Sequence, residues 1–569
     1  DPKQVERAMA FLEKSAAEEQ RMRLVDALRM AAGGEDEETG LAITGLESSG
    51  WVADLLGTSE GKWMETVSQP DRFAGTLRPY QLRGLGWLTF LDRLGLGACL
   101  ADDMGLGKTV QLIVLLQWER KMNPDRSFAP TLLVVPTSVI GNWHRELGRF
   151  SPELNVHIHH GPSRPVGTEF DRIVGDSDVV ITTYALVSRD QETLQEQAWH
   201  RVVLDEAQYI KNPPTKQTAA IRSLQTDRRI ALTGTPVENR LTELWSIMEF
   251  CNPGYLGEAP DFRRRFARPI ERHRDSRQAD QLKRLIQPFV LRRLKTDRNV
   301  ISDLPDCVET REFATLSREQ AALYEQVVDG MLGKVDRSDG IQRRGLILAM
   351  LGKLKQICDH PALGESGDDL AHLVRPDGDD LSSLCARSGK ATRMMALLEE
   401  VLAAGERALV FTQYRRMGKL LTAMIGHELG TQSLFLHGGT PVAKRQKMID
   451  GFQSDQCETP VFVLSLKAGG LGLNLTAANH VFHFDRWWNP AVERQATDRA
   501  FRIGQIRTVH VHKFVCIGTL EERIDQMIQE KTALAENIIG SGDEWLTELN
   551  TGQLREVLML RADAMEVES

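Results

Sequence analysis

The feature that most constrains this chain is a repeated alternation of short, nearly continuous apolar runs with stretches of helical periodicity. GACLA (97–101), TLLVVP (131–136), DVVITTY (178–184), RVVLDE (201–206) and RIALTGT (229–235) make one series. RALVFT (407–412), SLFLHG (433–438), PVFVLSL (460–466), HVFHFD (480–485) and TVHVHKFV (508–515) make a second. Strands buried on both faces read as unbroken apolar runs, and a helical crossover returns the chain to the same sheet in parallel. The pattern therefore predicts an α/β chain with two parallel-sheet domains.

The 569 residues leave room for more, since a domain takes about 150. We expect an N-terminal helical accessory region (1–72), a first α/β domain (73–250), a helical insert (251–385), a second α/β domain (386–540) and a C-terminal helical tail (541–569). Because the chain starts at Asp1 rather than methionine, it reads as a piece of a longer protein.

Composition narrows the partners. With 41% hydrophobic and 26% charged residues the chain has a globular balance, which excludes a disordered or collagen-like polymer. The net charge of −9 advertises no general affinity for nucleic acid. Residues 261–298 depart from this, with 13 Lys/Arg against 5 acids, a local net of +8 that fits either a polyanion-binding face or a solvated helical surface. The seven cysteines are scattered singly without C-x-x-C spacing, which points to a reducing compartment rather than a disulfide framework. Cys358 and His360 are too few for a metal site, so no structural metal is expected. No apolar run approaches the ~18 residues of a membrane span, so a cytoplasmic, nucleoid-associated protein is expected, or a nuclear one from a eukaryote.

Chemistry concentrates at two strand ends. Asp102-Asp103-Met104-Gly105-Leu106-Gly107-Lys108-Thr109 links the strand GACLA to an apolar helical stretch. Gly105 and Gly107 let the backbone curl so that N–H groups and the helix N-terminus face phosphate oxygens. Lys108 would reach the β- and γ-phosphates and Thr109 would ligate magnesium. The strict phosphate-loop pattern has glycine where this chain has Asp102. The strand RVVLDE supplies what that imperfect motif needs: Asp205 suits magnesium coordination and Glu206 suits polarising an attacking water.

These segments, with LTGTP (232–236), resemble the superfamily-two helicase-like ATPases, and more closely the Swi/Snf-type DNA translocases. LRPYQ (77–81), VVPTSVIGNW (134–143), LRRLKTD (291–297), LKQICDHPAL (354–363), LHGGT (436–440), SLKAGGLGLNLTAANHVFHFDRWWNP (465–490) and QATDRAFRIGQ (495–505) extend the likeness over roughly residues 75–535. The resemblance implies two RecA-like domains, ATP and magnesium as cofactors, and sequence-independent contact with the backbone of double-stranded DNA. It implies that Gln81 reads adenine, with Arg78 in the same segment, and that Gly470, Gly472 and Gln495 line the nucleotide cleft. Arg499 and Arg502, three apart and so expected on one helical face, match the finger arginines that neutralise charge on the transferring phosphoryl group, worth ~10³–10⁵ in rate. Thr233 and Thr235 match coupling residues, and Thr137, Ser138, Thr412, Gln413, Ser465 and Lys467 match DNA-backbone contacts. Trp487 and Trp488 read as a structural or coupling loop in preference to a base-stacking platform for single strands. The DEAQ form of the acidic motif and the compact insert lean towards a bacterial or archaeal member.

The expected function is an ATP-dependent duplex-DNA translocase that displaces or remodels DNA-bound protein complexes without efficient strand separation. The alternatives are a strand-separating helicase, the motor of a restriction or defence system with a nuclease partner, and a non-enzymatic scaffold. The last is disfavoured because Lys108, Thr109, Asp205, Glu206, Arg499 and Arg502 are all present.

Overall fold

The computed structural model describes residues 67–123, 128–234, 240–364, 384–466, 473–487, 490–526 and 551–564, apart from positions 162, 296, 302 and 303. The chain divides into two compact units, Asp1–Ser302 and Asp303–Ser569.

The first unit is built on a seven-stranded parallel sheet in the order β3-β4-β2-β5-β6-β1-β7. Its strands are β1 (Ala98–Leu100), β2 (Thr131–Val135), β3 (Val156–Ile158), β4 (Val179–Thr183), β5 (Arg201–Asp205), β6 (Arg229–Leu232) and β7 (Val290–Leu291). The apolar runs became strands because both faces are covered: Leu132, Val134, Val180, Val202 and Leu204 enter one core, and the alternate residues Leu133, Val135, Ile181 and Val203 are buried on the other face. β1, β5 and β6 lie side by side, so the residues that follow them emerge at one carboxyl edge, where open parallel sheets bind ligands.

The second unit carries a six-stranded parallel sheet in the order β10-β11-β9-β12-β13-β8. Its strands are β8 (Cys307–Ala314), β9 (Ala408–Thr412), β10 (Ser433–Leu436), β11 (Val461–Ser465), β12 (His480–His483) and β13 (Val509–Cys516). Val410, Val463 and Phe482 fill the core on one face, and Leu409, Phe462 and Val481 that on the other.

The stretch 251–385, read as a helical insert, is divided between the units, and its helices come with one edge strand for each sheet. β7 joins β1, and β8 joins β13. β8 gave no apolar signal because an edge strand has a solvent side: CVETREFA buries only Phe-flanking Glu312 and Ala314. Residues 1–66 and 527–550 lie outside the described residues. In the tail, a helix at Thr551–Leu558 buries Leu554 and Leu558 in a core with Tyr324, Val328 and Leu520.

Candidate nucleotide site

The loop after β1 has the curled backbone that its glycines predict. Gly105 and Gly107 take φ of 86° and 78°, left-handed values that side chains resist. At Gly107 a Cβ would also come 2.5 Å from Gln81 Nε2. The helix α1 (Lys108–Met122) starts immediately after, so its unsatisfied N–H groups face the loop. Lys108 Nζ donates to the main-chain oxygens of Asp102 and Asp103, at 2.5 and 3.3 Å.

Asp102, the departure from the strict motif, is fully buried as an anchor. Its carboxylate accepts Arg293 Nε at 2.8 Å, Arg293 Nη2 at 2.5 Å and Gln111 Nε2 at 3.1 Å. Arg293 also donates to Gln111 Oε1 at 2.7 Å and to the Tyr80 main-chain oxygen, and stacks over the Tyr80 ring. Asp103 adds a second tie, accepting from Lys295 N at 3.1 Å. The segment LRRLKTD thus fastens the phosphate loop to the edge of the sheet. Nothing in its sequence spacing announces a partner 191 residues away.

Gln81 supports the same loop from the other side. It is buried, its Nε2 donates to Leu106 O at 3.2 Å, and its Oε1 accepts Arg78 N at 3.0 Å. Tyr80 Oη donates to the same Leu106 oxygen at 2.8 Å. The segment expected to read a base therefore also braces the phosphate loop.

The acidic pair stands at the end of β5. Asp205 accepts the Trp143 indole N–H at 2.7 Å and Glu206 N at 3.0 Å. Trp143 is placed by an amphipathic helix at Ile140–Phe150, which buries Ile140, Trp143 and Leu147 on one side. Burial pushes the Asp205 carboxyl up to about 7, Glu206 beside it adds to the rise, and Lys108 opposes it. The lysine of the phosphate loop thus acts on the Asp205 carboxylate through space. Glu206 has φ 53° and ψ 56°, a conformation that costs a non-glycine residue ~1–3 kcal/mol and clusters at functional sites. Tyr184 Oη holds the turn by donating to Asp205 O at 2.7 Å. Gln208 then bridges two motifs: its Nε2 donates to Glu206 Oε2 at 2.9 Å and its Oε1 accepts Thr233 Oγ1 at 3.1 Å.

In the second unit, Thr412 and Ser465 are register partners at adjacent strand ends. Thr412 is buried and its hydroxyl donates to Asp485 Oδ2 at 2.6 Å. The main-chain N–H of Gln413 also donates to Asp485, while its side chain donates to Arg486 O at 2.8 Å. The Thr412 hydroxyl is therefore turned inward, away from a surface track. Arg499 and Arg502 lie in turns beyond the helix at Pro490–Thr497, which carries Gln495, so they do not share a helical face. Leu475 N donates to Arg499 O, and Arg502 Nη1 donates to Leu473 O at 3.2 Å. Trp487 packs against the core and its main-chain N–H donates to Glu493 Oε1.

Thr137 is exposed in the turn after β2, which also holds Ser138. Thr109 is half-buried in the first turn of α1. Thr235, Lys467, Gly470, Gly472 and Trp488 lie outside the described residues.

A parallel sheet with a phosphate loop after β1 and paired acids after β5, one strand away across β6, defines a P-loop nucleotide-binding protein, here followed by a second parallel-sheet unit. Residues 80–363 match the SNF2-related domain and residues 390–504 match the helicase conserved C-terminal domain, and the chain belongs to this SNF2-related, helicase-like ATPase family. YwqA of Bacillus subtilis (strain 168), provisionally named as an ATP-dependent helicase/translocase, is 49% identical over 492 residues, covering 86% of this chain and 52% of that protein. The Saccharomyces cerevisiae ISWI chromatin-remodeling complex ATPase ISW2 is 33% identical, covering 84% of this chain and 42% of its own. A solved Sulfolobus solfataricus SWI2/SNF2 ATPase core in complex with dsDNA is 44% identical, covering 88% of this chain and 100% of that one with a TM-score of 0.42. The chain spans about half the length, or less, of these curated relatives. No helix among the described residues is long and apolar enough to cross a membrane.

Proposed function

We propose that this chain is an ATP-dependent translocase on double-stranded DNA, whose product is force on DNA-bound proteins rather than separated strands. The observation that carries the reading is the Glu206–Gln208–Thr233 bridge, which joins the catalytic acid to the strand-end motif expected to couple turnover to the track.

In this mechanism the loop N–H groups and Lys108 hold the phosphates, and Gln81 recognises the base. Glu206 orients the attacking water and takes its proton. Magnesium fits Thr109 and Asp205 by donor chemistry: a hydroxyl and a carboxylate are hard oxygen ligands, and the two N–H donors on Asp205 leave it further lone pairs. When bound, the ion offsets charge on the phosphate oxygens. Arg499 and Arg502, as the resemblance implies, supply the remaining positive charge and lower the barrier by roughly 4–7 kcal/mol. Thr137, Ser138, Gln413, Ser465 and Lys467 position the duplex through its phosphates, which makes binding independent of sequence.

The test is steady-state ATP hydrolysis with no nucleic acid, single-stranded DNA, duplex DNA and duplex RNA, with Glu206→Gln as blank. Selective stimulation by duplex DNA is the expected result. Preference for single strands, or efficient unwinding of a blunt duplex, would transfer the chain to the strand-separating class.

A further inference from the structure

Residues 259–286 form two helical stretches whose inner side is apolar: Phe262, Phe266, Ile270, Leu282 and Leu285 are buried, with the Phe262 and Phe266 rings 5.6 Å apart. The outer side is mainly cationic, with Asp261 and Asp280 as its exposed acids. Arg264, Arg268 and Arg272 recur every four residues on the first stretch, and Arg277, Lys283 and Arg284 extend the charge along the second, all exposed.

Of the five acids in residues 261–298, three serve main-chain N–H groups and two, Asp261 and Asp280, are exposed on this face. Glu271 accepts the main-chain N–H of Leu241 at 2.7 Å, Asp275 caps the second stretch through Arg277 N and Gln278 N, and Asp297 accepts Asn299 N. Among the described residues only Asp261 meets a guanidinium of this row, that of Arg264 at 2.8 Å. Arg268, Arg272, Arg277, Lys283 and Arg284 have no carboxylate within ion-pair distance among the described residues.

An ordinary solvated helix intersperses acids four residues from its bases, because like charges at that spacing repel. This one sets Arg264, Arg268 and Arg272 at that spacing from one another and gives Arg277, Lys283 and Arg284 one exposed acid, Asp280, in a chain whose net charge is −9. We propose that the face is a second duplex-DNA contact on the first unit, separate from the nucleotide site and from the strand-end motifs. Charge complementarity names the occupant. Arginine outnumbers lysine here, and its planar fork binds phosphate bidentately. From Arg264 to Arg272 the helix rises about 12 Å, short against the ~34 Å turn of a duplex, so the row can follow one phosphate backbone. The inference rests on the duplex reading and adds to it a surface that would hold the track while the nucleotide site cycles.

The experiment is fluorescence anisotropy of the whole chain on a labelled blunt duplex across a salt series, comparing wild type with the triple variant Arg264→Glu, Arg268→Glu, Arg272→Glu. ATP turnover without DNA serves as the check that the variant is folded, and the Gln triple variant is the milder companion. Duplex affinity should fall at least about tenfold, and the slope of log K against log salt should flatten by about 2–3, at roughly 0.9 for each phosphate that the protein no longer neutralises. Basal turnover should be unchanged. If wild type binds and is stimulated by duplex while both variants match it in affinity and slope, the inference is overturned and the translocase reading stands. If wild type neither binds nor responds to duplex, both fall. Loss of binding to poly-L-glutamate with duplex binding intact would assign the face to an acidic protein and overturn the proposal.

Discussion

Removing the Arg293 guanidinium should loosen the phosphate loop more than any change to an exposed residue. The carboxylate of Asp102 is fully buried and takes two of its three hydrogen bonds from Arg293, itself only 10% exposed. Breaking a buried pair by deleting one partner strands a charge in a weakly polarisable interior and costs ~3–5 kcal/mol. For a unit of this size each kcal/mol lowers the melting temperature by ~2–4 °C, so Arg293→Ala should lose roughly 6–20 °C in the transition of the first unit. Arg293→Lys keeps the charge but not the fork, and should lose about 1–2 kcal/mol. Adding Asp102→Asn to Arg293→Ala should recover more than half the loss, because the stranded group is then neutral. Hydrogen exchange read on peptides spanning residues 98–116 and 289–295 isolates the local effect, with nucleotide affinity measured in parallel. Arg293→Ala with exchange changed by less than about 0.5 kcal/mol in opening free energy would refute the anchoring argument.

Glu206→Gln should bind nucleotide normally and turn over at least ~10²-fold more slowly, whereas Lys108→Ala should weaken nucleotide binding itself; equal turnover in wild type and Glu206→Gln would remove Glu206 from its role. Gln208→Ala should lower DNA-stimulated turnover about tenfold, ~1.4 kcal/mol, at unchanged nucleotide affinity, and a matched loss of affinity would assign Gln208 to binding instead of coupling. Burial alone would raise the Glu119 carboxyl, but Arg201 beside it and a hydrogen bond from His200 hold it well below the usual carboxylate range. A depressed folded value means that this stabilisation is complete above the unfolded value of about 4.3 and drains away as pH falls towards the folded one. Urea midpoints of wild type should therefore drop on acidification from about pH 6 to about pH 3 more steeply than those of Glu119→Gln, and parallel curves would refute the assignment.

How much of this was legible in the sequence depends on how far apart the interacting residues lie. The strands β1, β2, β4, β5 and β6, and β9 to β13, stand where the apolar runs place them, because burial on both faces is written locally in composition. The short edge strand β7 and the half-exposed β8 carried no such signature. The placement of Gly105, Gly107, Lys108, Asp205 and Glu206 at strand ends was readable because strand-end loops of a parallel sheet emerge together at one edge, whatever the rest of the chain does. Arg499 and Arg502 were expected on a helical face, but that helix ends at Thr497 and the turns beyond it re-aim both side chains.

The sequence by itself determined the α/β class, the two sheets and the residue types of the phosphate loop and acidic pair, since each rests on periodicity or a contiguous motif. Only the tertiary structure decided that Arg293 neutralises Asp102, that Trp143 holds Asp205, that Gln208 ties Glu206 to Thr233, and that Thr412 turns inward onto Asp485. The first two and the last of these pairings join residues 62 to 191 positions apart. They exist because the order of strands in the sheet, which no local pattern encodes, brings distant strand ends side by side.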